Sequence, residues 1–352
     1  MVSVVVVNWN GERYLPDCLA AILAQVPAPQ EVLVVDNHSE DSSRELVAAR
    51  FPQVRVVDLG SNAGPGAARN RGVEAAAHER VLCVDNDVIL QPGVLAAMTA
   101  TMDEHPAAAM VQARSVLAAE PSTVHYDGAD LHYLGMLLLH NWYRPLSEAR
   151  LPDRSMSAGI GLCFLTRRTP FLAVGGFFEP MFFFFEDNDF AYRLRLRGHE
   201  VRLAERAVVL HRGGTAGLSM RGGEPAYPAR RTYLHSRNRW LLLLACLHWR
   251  TLLLTLPAQL AYAAVHFAFA VRQGHTGAWL AGKWGLLRLL PATWRRRREV
   301  QRTRVCSDRE LLLAAPFTFN PHIGKRGAGA FARRCMDACF GTWWRCVRWA
   351  CG

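Results

Sequence analysis

Asp85 and Asp87, one residue apart, stand at the end of the apolar run Val81-Leu82-Cys83-Val84. Two carboxylates presented in this D-x-D arrangement where a buried strand stops offer oxygen ligands. Hard divalent cations such as Mg²⁺ or Mn²⁺ prefer such ligands and commonly share them with substrate phosphates. A solvated acidic turn accounts for an isolated D-x-D equally well, so the weight falls on its company. A second acidic cluster, Glu186-Asp187-Asn188-Asp189, directly follows four aromatics, Phe182 to Phe185, and leads into a helix-like segment, Asn188–Arg197. Carboxylates at a helix start can be simple caps or partners of the helix dipole. Low-dielectric surroundings would instead raise the proton affinity of Glu186 or Asp187 towards that of a useful general base. His211 ends a further apolar run, Ala207–Leu210, 24 residues beyond Asp187. It is either a strand-capping residue or a neutral imidazole ligand for a cation such as Mn²⁺.

The elements that must position these groups alternate regularly over the first hundred residues. Val2–Val7, Glu31–Asp36, Val54–Asp58 and Arg80–Asp85 are short apolar runs that end in polar residues. Between them lie the helix-like stretches Tyr14–Gln25, Ser42–Arg50 and Gly66–Ala77. Strands alternating with helices of roughly ten residues predict βαβ units and an α/β fold with a mostly parallel sheet. The strand ends carry Asn8/Asn10, Asp36/Asn37 and Asp85/Asp87, which lines polar groups along the carboxyl edge, where open α/β sheets bind nucleotides. No G-x-G-x-x-G follows the first strand and no P-loop pattern occurs, which disfavours a nicotinamide dehydrogenase and a P-loop enzyme.

Composition narrows the classes further. The 352 residues carry a net charge of +11, unevenly spread. Residues 230–352 hold 21 Lys and Arg against 4 Asp and Glu, a balance of +17, and residues 1–229 hold 20 against 26, a balance of −6. An acidic globular part joined to a basic, Trp-rich, apolar part points to a catalytic domain held at an anionic membrane surface. The arginines alternate with Leu, Ala, Phe and Trp runs, which suit lipid rather than a phosphate backbone, so no nucleic-acid partner is expected. The opening strand has no basic flank and no cleavage site, and a cytoplasmic catalytic part with nine cysteines as thiols is expected. Cys83 and Cys163 sit in apolar runs and read as core.

Val4-Val5-Val6-Val7-Asn8-Trp9-Asn10-Gly11, Val34-Val35-Asp36-Asn37-His38-Ser39, Asn62-Ala63-Gly64 with Ala68-Arg69-Asn70-Arg71-Gly72, and Asp85-Asn86-Asp87 follow one another in a distinctive order. The series continues through Gly175-Gly176-Phe177 and Glu186-Asp187-Asn188-Asp189 to His211. Over about residues 2–240 this resembles the family 2 glycosyltransferases. The likeness is nearest to the bacterial rhamnosyltransferase-like branch, which builds cell-wall and surface polysaccharides. One departure is Phe178, where that branch usually has Asp. The resemblance implies a GT-A nucleotide-sugar-binding fold and a metal-dependent, inverting hexosyltransferase. The donor would be a nucleoside-diphosphate sugar, a dTDP- or UDP-sugar with dTDP-rhamnose among the candidates. The acceptor would be a hydroxyl of a lipid-linked glycan or polysaccharide.

The same resemblance distributes roles. Asp87 and His211 would hold Mg²⁺ or Mn²⁺, and Asp85 would contact the ribose or bind the ion less directly. Asp187 would deprotonate an acceptor hydroxyl that attacks the anomeric carbon in line, with Glu186 as the alternative base. Asn8, Asn10, Asn37 and Asn62 fall among the substrate-binding positions. Asp36 would accept from the imide N–H of uracil or thymine, although Asp-Asn-His-Ser is also good turn chemistry. Gly64 and Gly66 would admit a diphosphate or sugar to the start of the helix bearing Arg69 and Asn70, or simply make a tight turn. Arg237 and Asn238, within His235-Ser236-Arg237-Asn238-Arg239, resemble the segment that closes over the diphosphate or acceptor phosphate, and a plain basic juxtamembrane patch explains them as well.

A catalytic domain is therefore expected over residues 1–239, followed by a basic, apolar, helical membrane-associating region over 240–352. Thr251–Val271 is long enough for one bilayer crossing, but a single span would export Arg295–Arg298 while Arg230–Arg239 stayed inside, against the positive-inside rule. Interfacial or re-entrant helices on the cytoplasmic face of the inner membrane, monotopic or peripheral, satisfy both clusters. In the tail, Cys335, Cys339, Cys346, Phe340, Trp343, Trp344 and Val347 are expected on one helical face, opposite Arg334, Asp337, Arg345 and Arg348. The cysteine spacing there does not match a zinc site. Two other classes remain: a sugar-nucleotide pyrophosphorylase-like nucleotidyltransferase, which should carry a Gly-rich basic loop after the first strand, and a non-catalytic membrane scaffold.

Overall fold

The computed structural model describes residues 1–151, 154–213, 227–318 and 328–352. The chain divides into two compact units, one of residues 1–128, 140–194 and 199–214, the other of residues 129–139, 195–198 and 215–352.

The first unit is built on a sheet whose strands are β1 (Val2–Asn8), β2 (Glu31–Asp36), β3 (Arg55–Asp58), β4 (Arg80–Asp85), β5 (Val88–Leu90), β6 (Ala108–Leu117) and β7 (Glu120–Tyr126). The second unit contributes the separate hairpin β8 (Ala129–Leu131) and β9 (Leu137–Leu139), and the main sheet is completed by β10 (Cys163–Arg167) and β11 (Glu200–His211). The order is β3-β2-β1-β4-β10-β6-β11-β5, with β7 paired to β6. β3, β2, β1 and β4 run parallel, as the alternation of runs predicts. β10 is antiparallel to both its neighbours, and β5 is antiparallel to β11.

Side chains alternate across this sheet, and both faces are covered. Val4, Val6, Val34, Leu82 and Val84 pack against α1 (Leu15–Leu23), α2 (Ser43–Arg50) and, beyond α3 (Pro65–Ala75), α4 (Val94–Glu104). Val5, Val7, Leu33, Val35, Val81 and Cys83 face α3, α5 (Arg168–Ala173) and α6 (Glu186–Leu196). A strand buried on both faces needs apolar residues at every position, which is why these segments read as unbroken runs. Each buried Val or Leu contributes roughly 1.5–3 kcal/mol of transfer free energy. Gly72 lets α3 lie close on the sheet, since a Cβ there would fall 2.2 Å from Val5 Cγ1.

The second unit comprises β8, β9 and the helices α7 (Ala229–Cys246), α8 (Trp249–Arg272), α9 (Thr276–Thr303), α10 (Asp308–Leu311) and α11 (Ala328–Val347). The division expected at 239/240 falls inside the continuous helix α7. Tyr133 stacks on Trp344 at 4.9 Å and donates through Oη to the Phe340 carbonyl at 3.1 Å. The α11 face therefore differs from the expected one. Phe340 and Trp344 are buried and half-buried Asp337 shares their side, accepting from the Phe317 N–H at 3.2 Å. Cys335, Cys339 and Cys346 are exposed. The reason is that 337, 340 and 344, three and four residues apart, share the stripe on which Tyr133 and Phe317 pack. Among the described residues, α8 alone is long and apolar enough to cross a membrane. It exposes Trp249, Leu253, Leu256 and Leu260, and α9 exposes Leu280, Trp284, Leu287 and Trp294.

Candidate active site

The parallel strands end in register, with Asn8 opposite Asp36 and Asp36 opposite Asp58, while Val7 pairs with Asp85. Buried Asn8 donates to Asp36 Oδ2 at 2.8 Å and to Ser39 Oγ at 3.1 Å, and its Oδ1 accepts from Asn86 Nδ2 at 2.8 Å. Asp36 also accepts from the Ser39 N–H and hydroxyl at 2.8 and 2.6 Å. Asn10 joins through its N–H to Ser39 Oγ and accepts from the Glu40 N–H. Asn8 and Asp36 are thus engaged in holding three strand ends together, the turn chemistry available to Asp-Asn-His-Ser. Asn37 donates to Asn62 Oδ1 at 3.0 Å and accepts from the Ala63 N–H at 2.9 Å; Asn62 Oδ1 in turn accepts from the Gly64 N–H at 3.1 Å.

Gly64 precedes α3 at φ +88°, and a Cβ on it would lie 2.4 Å from the Phe182 carbonyl oxygen. Only glycine fits this backbone conformation and this approach. Further along α3, buried Arg69 donates to Asp85 Oδ1 at 2.6 Å and lies over the Phe177 ring at 5.4 Å. Burial alone would lower its proton affinity, but Asp85, Glu186 and Asp187 around it raise it above the ordinary value. Asn70 clasps the Gly175-Gly176-Phe177 turn, accepting from the Phe177 N–H at 2.7 Å and donating to the Phe177 carbonyl and Glu179.

The D-x-D starts at Asp85, the last residue of β4, and continues through the turn Asn86-Asp87 that leads into β5. β5 then pairs antiparallel with the end of β11, Val88 opposite His211, and the Arg212 N–H donates to the Asp87 carbonyl at 3.0 Å. This pairing brings His211 Nε2 to 3.0 Å from Asp87 Oδ2, across 124 residues of sequence. On the far side of the ring, His211 Nδ1 lies 3.0 Å from His125 Nδ1, on β7. Asp85 is turned to Arg69 instead, so the three expected ligands separate into a pair and a carboxylate–guanidinium contact. Among the described residues no group of three or more His, Cys, Asp or Glu converges as a complete metal cage. A two-ligand site nevertheless fits Mg²⁺ or Mn²⁺, which keep positions for water and phosphate oxygens. The two atoms stand at hydrogen-bonding distance and face one another, so Asp87 and His211 together would hold such a cation.

Glu186 and Asp187 open α6. Burial, reinforced by Asp187 and opposed by Arg69, raises the Glu186 carboxyl to about 8, and its buried Oε2 has no hydrogen-bond partner among the described residues. Burial also raises Asp187, against Arg69 and the backbone N–H groups of Gly161 and Asn188. Those N–H groups donate to Oδ2 at 3.2 Å and Oδ1 at 2.8 Å. Two donors aimed at Asp187 favour its charged form and oppose the effect of burial. The aromatic run before them is strained: Phe182, Phe184 and Phe185 have φ of +62°, +67° and +73°. The Phe183 N–H bonds back to the Met181 carbonyl at 2.8 Å around Phe182. Such bulky residues at positive φ cost roughly 1–3 kcal/mol each and persist where surrounding structure over-determines them.

Arg237 and Asn238 belong to the second unit, on α7, where Arg237 donates to Asn238 Oδ1 at 2.8 Å and to Tyr233 Oη at 3.0 Å. Sequence reasoning overlooked His125, Asn86 and the Gly161 N–H. His125 lies outside every motif and becomes visible only through strand pairing.

The fold and edge geometry define a nucleotide-sugar-binding α/β enzyme class, and comparison with known proteins specifies it. The family model described as Glycosyl transferase family 2 matches residues 3–175. An N-acetylglucosaminyl-diphospho-decaprenol L-rhamnosyltransferase of Mycobacterium tuberculosis is 29% identical over 235 residues, spanning 60% of this chain and 76% of that protein. The succinoglycan biosynthesis protein ExoO of Rhizobium meliloti is 33% identical over 140 residues, 39% of this chain and 40% of the relative. Among solved structures, S. aureus TarS 1–349 in complex with UDP-GlcNAc aligns at a TM-score of 0.52 with 19% identity, covering 86% of this chain and 89% of that one. GalNAc-T7 with UDP, GalNAc and Mn²⁺ aligns at 0.51 with 14% identity, over 70% of this chain and 50% of its own. These structures share the GT-A fold. Residues 3–175 thus carry the family 2 glycosyltransferase pattern, and the chain is similar to the rhamnosyltransferase-like branch of polysaccharide biosynthesis.

Proposed function

We propose that this glycosyltransferase moves a hexose from a dTDP- or UDP-sugar, dTDP-rhamnose foremost, to a hydroxyl of a lipid-linked glycan, with inversion. The observation that carries the reading is Asp87 Oδ2 and His211 Nε2 held 3.0 Å apart at the carboxyl edge of the sheet. The named acceptor of the M. tuberculosis relative supports a lipid-linked substrate. Mg²⁺ or Mn²⁺ held by Asp87 and His211 would neutralise charge on the departing nucleoside diphosphate. Arg69 fixes Asp85 beside that edge, leaving Asp85 the ribose or an indirect contact. Asp187 takes the proton from the attacking hydroxyl while Glu186 stays protonated beside it. Asn8, Asp36, Asn10, Asn37 and Asn62 shape the base and ribose edge, and Gly64 brings the Phe182–Phe185 loop against the start of α3. Asn70 keeps the Gly175–Phe177 turn in place.

The first unit carries the chemistry, and the second holds the enzyme on the cytoplasmic leaflet. Exposed Trp and Leu on α8 and α9, with the +17 balance of residues 230–352, support an interfacial seat on anionic lipid. The test is release of nucleoside diphosphate from a panel of UDP-, dTDP- and GDP-sugars, with a polyprenyl-diphosphate-linked N-acetylglucosamine as acceptor. One donor should turn over with Mn²⁺ or Mg²⁺ and stop in EDTA. Full turnover in EDTA would overturn the metal assignment, and no turnover with any donor would favour a scaffold.

A further inference from the structure

We infer that His125 is a positioning residue that sets the tautomer of His211 and thereby presents the His211 Nε2 lone pair to the cation. The inference rests on the proposed metal site. A neutral imidazole has one N–H and one lone pair, so the hydrogen bond made by one nitrogen decides what the other offers. The two Nδ1 atoms lie 3.0 Å apart, hydrogen-bonding distance, and one of them must carry the proton. For His211 to give its Nε2 lone pair to a cation shared with Asp87, in place of the Nε2–H···Oδ2 hydrogen bond that their 3.0 Å contact allows, its own proton must sit on Nδ1. His125 Nδ1 then accepts, and the His125 proton is on Nε2. The opposite arrangement would put the proton of His211 on Nε2, where it blocks coordination.

The fold enforces this contact. His125 and His211 are 1% and 8% exposed, with ring centroids 4.9 Å apart. β6 lies between their strands: Val124 pairs with Val116 and Tyr126 with Ser115 on one side, while His211 pairs with Leu117 on the other. The two rings are therefore fixed by backbone pairing on three strands rather than by flexible loops. Partners that orient a metal-ligating histidine commonly change metal affinity by about 10–100-fold when removed.

The discriminating variants are His125→Asn and His125→Leu. Asparagine can place Oδ1 where Nδ1 stood and still accept from His211, whereas leucine is of similar size and cannot. Binding of Mn²⁺ to the full-length enzyme with UDP or dTDP is followed by electron paramagnetic resonance of the free ion. His125→Leu should weaken Mn²⁺ by about 10–100-fold and diminish the nitrogen coupling of the bound ion, and His125→Asn should restore most of both. Thermal melting separates these effects from unfolding. Unchanged Mn²⁺ affinity and nitrogen coupling in a folded His125→Leu protein would overturn the inference while leaving the metal site intact. Equal weakening in both folded variants would overturn it as well. Absence of Mn²⁺ binding by the unsubstituted enzyme would instead overturn the metal reading beneath it.

Discussion

Replacing Asp187 with Asn tests the assignment of the base most directly. Its two oxygens accept from Gly161 N–H at 3.2 Å and Asn188 N–H at 2.8 Å, and the Asn188 side-chain amide can donate to Oδ1 at 3.2 Å. An amide keeps the shape but must turn its NH₂ towards one of these donors, and it has no basic oxygen to receive the acceptor's proton. Loss of a positioned general base removes about 10²–10⁴ in rate, or about 3–5 kcal/mol of barrier at 1.36 kcal/mol per tenfold. The donor facing a donor removes a further 1–3 kcal/mol or so from stability. Asp187→Asn should therefore lower kcat by at least about two orders of magnitude and lower Tm, with nucleotide affinity little changed because the D-x-D turn is untouched. Single-turnover transfer with saturating donor, calorimetric titration of UDP or dTDP with Mn²⁺, and melting curves read the three quantities. An active Asp187→Asn beside an inactive Glu186→Gln would refute the reasoning and move the base to Glu186.

Glu186 makes a different statement about pH. Its carboxyl titrates near 4.5 when unfolded and is held up to about 8 when folded, so the folded state keeps a proton that the unfolded chain releases. Stability should fall as pH rises across that window, and Glu186→Gln should flatten the fall, gaining more Tm relative to the natural residue at pH 8.5 than at pH 4.5; an equal difference at both would remove the argument. Gly64→Ala should lose about 1–3 kcal/mol to backbone strain and displace Phe182, lowering both Tm and kcat, whereas a merely permissive turn would show neither. Membrane fractions should release the protein partly in high salt and more fully in detergent or alkaline carbonate, since lipid attracts each nearby Lys or Arg by about 1 kcal/mol while buried Trp and Leu ignore salt. A tag on Gly352 should stay protected in spheroplasts, and its digestion by external protease would indicate an odd number of crossings.

The parallel core is legible in the order of residues, because strands buried on both faces require unbroken Val and Leu runs and their polar ends mark the binding edge. That order also determined the acidic candidates, since Asp85, Asp87, Glu186 and Asp187 are set by local order and by the aromatics before α6. Tertiary structure alone decided how they divide. Arg69, from α3, takes Asp85, while the antiparallel β5–β11 pairing delivers His211 to Asp87. The backbone N–H groups of Gly161, before β10, and of Asn188, in α6, favour the charged form of Asp187. The face of α11 likewise depended on which residues met Tyr133 and Phe317, which helical periodicity alone left open. His125 had no local signature at all. Its neighbours in sequence do nothing to reveal it, because its contact with His211 exists only through the register of β7, β6 and β11, a long-range property that no window of sequence contains.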